Sequence, residues 1–328
     1  MTTPTRPRPG AAAAPPGSPD AGGAPPPAPP DRSRAGGRRG RPGPVARVRA
    51  RAEARLGAAR AALLPRGYVR LGRVAVVRLP AALRPWEPFL GAAYAEELGV
   101  ASVLVPTGPI EGPWRRPRLR AIAPGPTETE VLEHGVRWRF DARALMFARG
   151  NKAERARLRR VVRPGERVLD LFAGIGYFAI PAALADPSVR VEAVEENPVA
   201  YRYLLENVRR NGVADRVRCH LGDNRVVPLA AGSADRVLLG YLPSAVPWLG
   251  RALSLLTAEG GWLSVHLVAD ARPGPEGAAA EVARDLLARG ATVRERHARW
   301  VKSYGPGRIH VVVDLRVVPP APEPARDP

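Results

Sequence analysis

Three short stretches carry residues whose types and spacing suit the binding of a nucleoside. The first is VLDLFAGIGYFAIP, Val168 to Pro181. An apolar run meets Asp170, passes Phe172 and Ala173, and turns at Gly174 and Gly176 before a second apolar run. Glycines at such a turn let the backbone approach a ligand with no Cβ in the way. The turn departs from the full G-x-G-x-x-G dinucleotide pattern, because Ala179 stands at its last position, so alone it is weak evidence. The second stretch is AVEEN, which puts Glu195, with Glu196 and Asn197 behind it, at the end of the next strand. An acid about 20 residues after the turn accepts the hydroxyls of a ribose. The third is Gly222-Asp223-Asn224, where Asp223 is placed to take an adenine amino group. Together the three strand ends read as a pocket for S-adenosylmethionine. An α/β domain with ordinary glycine turns is the alternative.

Such residues need a sheet whose carboxyl ends converge, and the chain from Val168 onward alternates accordingly. RVLDLFAG, VRVEAVEEN, VRCHLGD, ADRVLLGYL and GGWLSVHLV read as strands. Helical segments separate most of them, among them PVAYRYLLENVRRNG, with Pro at its start and Gly212 at its end. Two sequential strands, around ERHARWVKSY and RIHVVVDL, follow. This order predicts an α/β fold: a Rossmann-like, doubly wound, seven-stranded sheet of the S-adenosylmethionine-dependent methyltransferase type over residues 146–318. A small α+β domain over residues 46–145 precedes it. There the sequence predicts a helix over Val45–Leu64, a strand over Leu71–Pro80, a helix over Trp86–Val100, and a hairpin in Glu130–Ala142 turning at His134-Gly135. Residues 1–45, rich in Pro, Gly, Ala and Arg, and the Pro-rich residues 319–328 are expected to be disordered tails.

The net charge of +20 points to a polyanionic partner such as nucleic acid. Biased coding is the competing explanation, since Lys152 and Lys302 are the only lysines and all other basic residues of this count are Arg. Cys219 is the sole cysteine, which excludes an internal disulfide and a multi-cysteine zinc site. With no apolar run near the ~20 residues of a membrane span and no signal-peptide segment, a cytoplasmic protein is expected. His134, His220, His297 and His310 do not cluster at ligand spacing, so no metal is expected. His266 lines the pocket or is packed in the core, and Tyr177 and Tyr241 either stack on a base or belong to the core.

Longer motifs carry a resemblance. TETEVLEHGVRWRFD, MFARGNKAERARL, VLDLFAGIGYFAIP, EENP, NGVADRVRCHLGDNR, ADRVLLGYLPS and KSYGPGRIHVVVDL, spread over roughly residues 70–316, resemble the tRNA guanosine-37 modification family. That family contains the m1G37 methyltransferases and the aminocarboxypropyl transferases of wybutosine synthesis. The GIGYF turn, GDNR at Gly222–Arg225 and GYLPS at Gly240–Ser244 favour the aminocarboxypropyl branch. The methyl branch has Asn-Leu-Pro at the last site, and here Gly240 stands in place of that Asn.

The resemblance implies a transferase that uses S-adenosylmethionine as donor and no metal. The acceptor implied is the 4-demethylwyosine base at position 37 of phenylalanine tRNA, held by a monomer. Arg149, Asn151, Gly240, Tyr241 and Pro243 are implied around the reacting groups. Ala148, Lys152, Arg155, Asp170, Phe172, Ala173, Gly174, Gly176, Glu195, Glu196, Asn197, Asp223, Asn224 and Gly240 are implied around the donor. Arg149, Lys152 and Arg155 are the candidates to pair with its carboxylate. Ala148 stands where the family usually has Ser. A sulfonium carries three attackable carbons, and the one that reacts is the one held in line at about 3–3.5 Å. Gly240 has no side chain to hold an acceptor nitrogen beside the methyl group, which favours transfer of the 3-amino-3-carboxypropyl group. Methyl transfer to guanosine 37, another RNA or small-molecule acceptor, and a non-catalytic RNA-binding protein with a cofactor-shaped pocket are the alternatives.

Overall fold

The computed structural model describes residues 42–321; the expected tails lie outside them except at 42–45 and 319–321. The Arg-rich start forms two helices, α1 (Pro44–Leu56) and α2 (Ala58–Ala62), where one was expected; Gly57, at φ 84°, divides them. α1 buries Val48, Ala52 and Leu56, which the helical period stacks on one face. The strand expected over Leu71–Pro80 is a tight hairpin. β1 (Val69–Leu71) pairs antiparallel with β2 (Val74–Val76) across the two residues Gly72-Arg73. α3 (Glu87–Leu98) falls within its expected span. Two unanticipated strands, β3 (Ser102–Pro106) and β4 (Leu119–Ala123), complete a four-stranded sheet in the order β1-β2-β3-β4.

Alternation along these strands serves two cores. Ala75, Val103 and Val105 pack with Val48, Leu90 and Tyr94 of the helices. Val74 and Leu104 instead join a second core with Trp138 and Phe140. Those aromatics belong to the next hairpin, β5 (Glu128–Glu133) and β6 (Val136–Asp141). It turns at His134-Gly135, both at positive φ (51° and 79°), the combination that two-residue hairpins favour.

The larger sheet follows α4 (Lys152–Val161). In chain order come β7 (Arg167–Asp170), α5 (Ala179–Ala183), β8 (Arg190–Glu195), α6 (Pro198–Arg210), β9 (Val217–Leu221), β10 (Arg236–Leu239), α7 (Leu249–Leu255), β11 (Gly261–Asp270), α8 (Pro275–Ala288), β12 (Thr292–Gly305) and β13 (Arg308–Val318). The seven strands are ordered β12-β13-β11-β10-β7-β8-β9. From β11 to β9 the neighbours run parallel, and β13 lies antiparallel to both β11 and β12. The strand order reverses between β7 and β10, and the carboxyl ends flanking such a switch form a ligand crevice.

Two sets of polar contacts fix what surrounds that crevice. Asn207 of α6 and Asn211, which follows its last residue, line up one turn apart against the edge of β6. Asn207 accepts from the Arg139 amide (2.8 Å) and donates to its carbonyl (3.0 Å); Asn211 does the same with Arg137 (2.9 and 2.8 Å). A helix thus meets the backbone groups that a neighbouring strand would otherwise satisfy. Asn207 also donates to the Ile175 carbonyl (3.1 Å), inside the glycine turn. Behind the sheet, Arg157 and Arg299 both bind the buried carboxylates Glu154 and Asp314, and Ser264 donates to Asp314 (2.6 Å). Burial would raise the Glu154 pKa, but the two guanidiniums bring it down to about 2. This network anchors α4 to β11, β12 and β13. Among the described residues no helix is long and apolar enough to cross a membrane.

Candidate active site

A cavity of about 480 Å³ opens at the strand switch. Its nucleoside end is built on the turn after β7. Asp170, fully buried, accepts from the amides of Phe172 (3.2 Å) and Ala179 (3.1 Å). Burial raises its pKa to about 7 in spite of those two hydrogen bonds. Asp170 therefore braces the loop from beneath and does not line the cavity. Ala173, also fully buried, ties the loop to β8 through the Val194 carbonyl (2.9 Å). Gly174 and Gly176 take φ of 57° and 100°, a region L side chains rarely adopt. Their roles differ. Gly174 borders the cavity and donates its amide to Glu195 (2.7 Å), whereas a Cβ at Gly176 would collide with Ile180 and Leu204 in the core. The second glycine thus serves packing, where direct approach of a ligand was expected.

Glu195 ends β8 and lines the cavity. One oxygen accepts from Gly174 and the other from the Asn197 amide (2.8 Å), and burial raises its pKa. Each carboxylate oxygen keeps a free lone pair, enough to accept two ribose hydroxyls. Asn197 caps α6 by accepting from Val199 (3.0 Å), a contact worth about 1 kcal/mol. Glu196 is exposed at the rim. Asp223 lines the cavity, but its carboxylate is bound by Arg225 (2.9 Å from Nε), whose hydrogen bond lowers its pKa. Asn224 is buried and donates to the Leu171 carbonyl (2.7 Å), while its Oδ1 has no partner among the described residues. Phe172, Tyr241 and Trp248 form one aromatic wall, with centroids 5.1–5.2 Å apart.

Gly240, where β10 ends, also lines the cavity. A Cβ there would lie 2.8 Å from the Phe178 ring, itself 5% exposed. Phe178 occupies the volume that a longer residue at 240 would need. Behind Phe178 stands His266 (centroids 4.9 Å), buried and hydrogen-bonded through Nδ1 to Nε2 of His310 (3.1 Å). Burial pushes these imidazoles down to about 4 and about 3, so both are neutral at pH 7. His266 is thus packed in the core behind the cavity. Tyr177 borders the cavity; its hydroxyl donates to the Met146 carbonyl (2.8 Å) and its ring meets Trp138, Phe147 and Arg155. Pro243 is exposed and off the cavity, and its carbonyl accepts from Val268 (2.7 Å), pinning the loop after β10 to β11.

The opposite end is cationic, but not through the cations expected there. Arg149, in the short turn before α4, and Lys152, the first residue of α4, are exposed and do not line the cavity. Arg155 does line it, yet its guanidinium is buried against Glu133 (2.7 and 3.0 Å) and the Ala148 carbonyl (3.0 Å). Lys302 lines this end of the cavity instead. It reaches the cavity from β12, half-buried, with its stem against Gly150, where a Cβ would sit 2.7 Å from Lys302 Cδ. Burial, with Arg115 and Arg155 nearby, lowers its pKa. Beside it lie Ala148 and Asn151, the latter with a buried Oδ1 that has no partner among the described residues. Pro113, Trp114 and Arg115, from the loop between β3 and β4, close this end. No motif marked that loop; Lys302 had stood out as one of two lysines in an Arg-rich chain and as the first residue of KSYGPGRIHVVVDL, with no role assigned to it.

Acceptors at one end and, at the other, a cation with no acidic partner among the described residues match a molecule with a ribose at one end and a carboxylate at the other. The two carbonyl oxygens left free, on Asn224 and Asn151, suit an adenine amino group and an α-ammonium. The residues present therefore fit S-adenosylmethionine. Sheet, switch point and pocket together define the class: the Rossmann-like fold of S-adenosylmethionine-dependent methyltransferases, preceded by an added N-terminal domain.

Known proteins narrow this further. Residues 129–273 match the TRM5/TYW2 methyltransferase domain and residues 48–127 the TYW2 N-terminal domain. The chain is 34% identical over 255 residues to the tRNA(Phe) (4-demethylwyosine(37)-C(7)) aminocarboxypropyltransferase of Pyrococcus horikoshii, covering 78% of this chain and 90% of the relative. The crystal structure of P. horikoshii TYW2 in complex with MeSAdo superposes with a TM-score of 0.75 at 31% identity, over 84% of this chain and 99% of the other. Pyrococcus abyssi Trm5b superposes with a TM-score of 0.67 at 28% identity, over 81% and 77%. The chain belongs to the TRM5/TYW2 family.

Proposed function

We propose that this protein transfers the 3-amino-3-carboxypropyl group of S-adenosylmethionine to C7 of the 4-demethylwyosine base at position 37 of phenylalanine tRNA, as a cytoplasmic monomer. The donor supplies a carbon activated by its sulfonium: the bond from sulfur to that carbon breaks as the carbon–carbon bond forms, and the acceptor loses its C7 proton. Catalysis by the chain is then chiefly positioning. Glu195 holds the ribose, Asn224 the adenine edge, Lys302 the carboxylate and Asn151 the α-ammonium. Tyr241 lies at the mouth beside Gly240.

The observation that carries this reading is the pair Gly240–Phe178. With Phe178 filling the space beside the strand end, no side chain at 240 can clasp an acceptor nitrogen next to the methyl group. The test is the by-product. The protein is incubated with S-adenosylmethionine and tRNA from cells blocked late in wybutosine synthesis. Methylthioadenosine, with tRNA heavier by the aminocarboxypropyl group, is the expected result. S-adenosylhomocysteine with methylated tRNA would overturn it in favour of the methyltransferase reading.

A further inference from the structure

The aromatics at the cavity differ in what their faces already touch. Phe172, Tyr241 and Trp248 pack on one another, and Tyr177 is enclosed by Trp138, Phe147 and Arg155. Trp114 stands apart. It lines the cavity, is 37% exposed, and has no aromatic neighbour among the described residues. Its ring contact is the Arg116 guanidinium, 4.7 Å from the ring centroid. Arg115, between Trp114 and Arg116 in the chain, donates to the Tyr304 hydroxyl (3.3 Å) at the end of β12, which ties the loop to the strand that carries Lys302. Neither Arg115 nor Arg116 has an acidic partner among the described residues, whereas Arg118 and Arg120 of the same run are paired with Glu111 and Glu87. A half-exposed indole with one guanidinium on its ring and a second beside it in the chain, neither bound by a carboxylate among the described residues, has at a cavity mouth the composition of a site for an unstacked base and its phosphates.

We infer that the loop between β3 and β4 is the acceptor-side wall: Trp114 stacks on the base turned out of the anticodon loop, and Arg115 and Arg116 hold the phosphates beside it. This rests on the tRNA reading above. Trp114 touches the acceptor by its face, and the small sheet thereby supplies one wall of a site whose other wall is the large sheet. Loss of one base stack corresponds to a roughly 5- to 150-fold effect.

The experiment has two readouts. An anticodon stem-loop carrying 5-iodouridine at position 37 is irradiated with the full chain, and the cross-linked peptide is identified by mass. The peptide containing Trp114 is expected; the Tyr241–Trp248 peptide instead would overturn the inference. Separately, single-turnover transfer at saturating S-adenosylmethionine is measured for Trp114→Ala and Trp114→Phe. The Ala variant is expected to slow at least tenfold, with donor affinity within twofold of the parent, and Phe to restore most of the rate. A parental rate in Trp114→Ala, or an equal loss of donor binding, would overturn it, the latter by making Trp114 a donor contact. If the parent protein modifies no tRNA, the proposed function fails while the cross-link still decides where a base sits. For Arg115→Ala/Arg116→Ala, the dependence of log K on log salt should flatten by about 1.4, or 0.7 per lost phosphate contact; an unchanged slope would remove the two arginines from the inference.

Discussion

The two ends of the cavity are made from different materials. At the nucleoside end nearly every group is held by a backbone amide or carbonyl: Asp170 under the turn, Glu195 between Gly174 and Asn197, Asn224 on Leu171. At the other end the groups are long side chains from distant segments, Lys302 from β12 and Trp114 and Arg115 from the small sheet. The first end is rigid because each contact also closes local backbone. The second is adjustable, because its side chains meet over long stems. The contrast suits a donor of one fixed shape at one end and a bulky base on a polymer at the other.

The contrast can be broken most severely at Glu195. Glu195→Gln removes the charge that two ribose hydroxyls would meet, at about 1.5–3 kcal/mol for a hydrogen bond to a charged group. We expect donor affinity by calorimetry to fall by about 100-fold, with tRNA affinity by filter binding unchanged; equal losses in both would erase the distinction between the ends. Next comes Gly240→Ala, which drives a methyl into Phe178. Overpacking of this kind costs roughly 1–3 kcal/mol, visible as a lower midpoint in denaturant. Adding Phe178→Leu should recover most of it, and no recovery would mean the ring is not what limits position 240. A smaller effect is expected at the adjustable end, where Lys302→Ala should raise KM for S-adenosylmethionine about tenfold and leave kcat within a few-fold, with Lys302→Arg intermediate.

A test of another kind uses pH. His266 and His310 have folded pKa values of about 4 and about 3, below the ordinary 6.5. Between those limits the unfolded chain binds protons that the folded one does not, so stability falls as pH drops below 6.5. The slope is up to about 1.4 kcal/mol per pH unit for each histidine. Glu154, lowered to about 2, adds its own loss only as pH falls from about 4.5 toward 2. Asp170, raised to about 7, and Glu195, also raised, gain stability over the same window and offset part of this slope, so the histidine share is read as a difference: the midpoint of a His266→Gln/His310→Gln variant should fall less from pH 6.5 to 5 than the parent's, and equal falls would show that the pair opens to water.

The rigid end was also the legible one, for the same reason. A glycine turn, an acid one strand later and a Gly-Asp-Asn after the third strand are short-range patterns, and each one's neighbour in space is its neighbour in the chain or across one ladder. The large sheet followed from its alternating strands and helices. The small domain was read less well. Val103 to Val105 form too short an apolar run to announce a strand between two faces, and Gly57 and Gly72 each divided what read as one element. Lys302 and the Trp114 loop meet only because two sheets pack together, as in the Arg115–Tyr304 contact 189 residues apart. Nothing in local spacing encodes such a meeting. Arg149 and Lys152 were the reverse error: they have the right charge and the right neighbourhood, but point away.

The asparagine pair at the end of α6 has a consequence for how such a chain can change over generations. Asn207 and Asn211 grip the amides and carbonyls of residues 137 and 139, never their side chains. Almost any residue but proline can therefore be substituted at 137 or 139 without cost to this joint. A change at Asn207 would strand buried groups on the hairpin and on Ile175 of the glycine turn in a single step. The joint is thus asymmetric in its tolerance, with a free side and a frozen side. Among related chains, drift is expected in the hairpin and constancy in the helix.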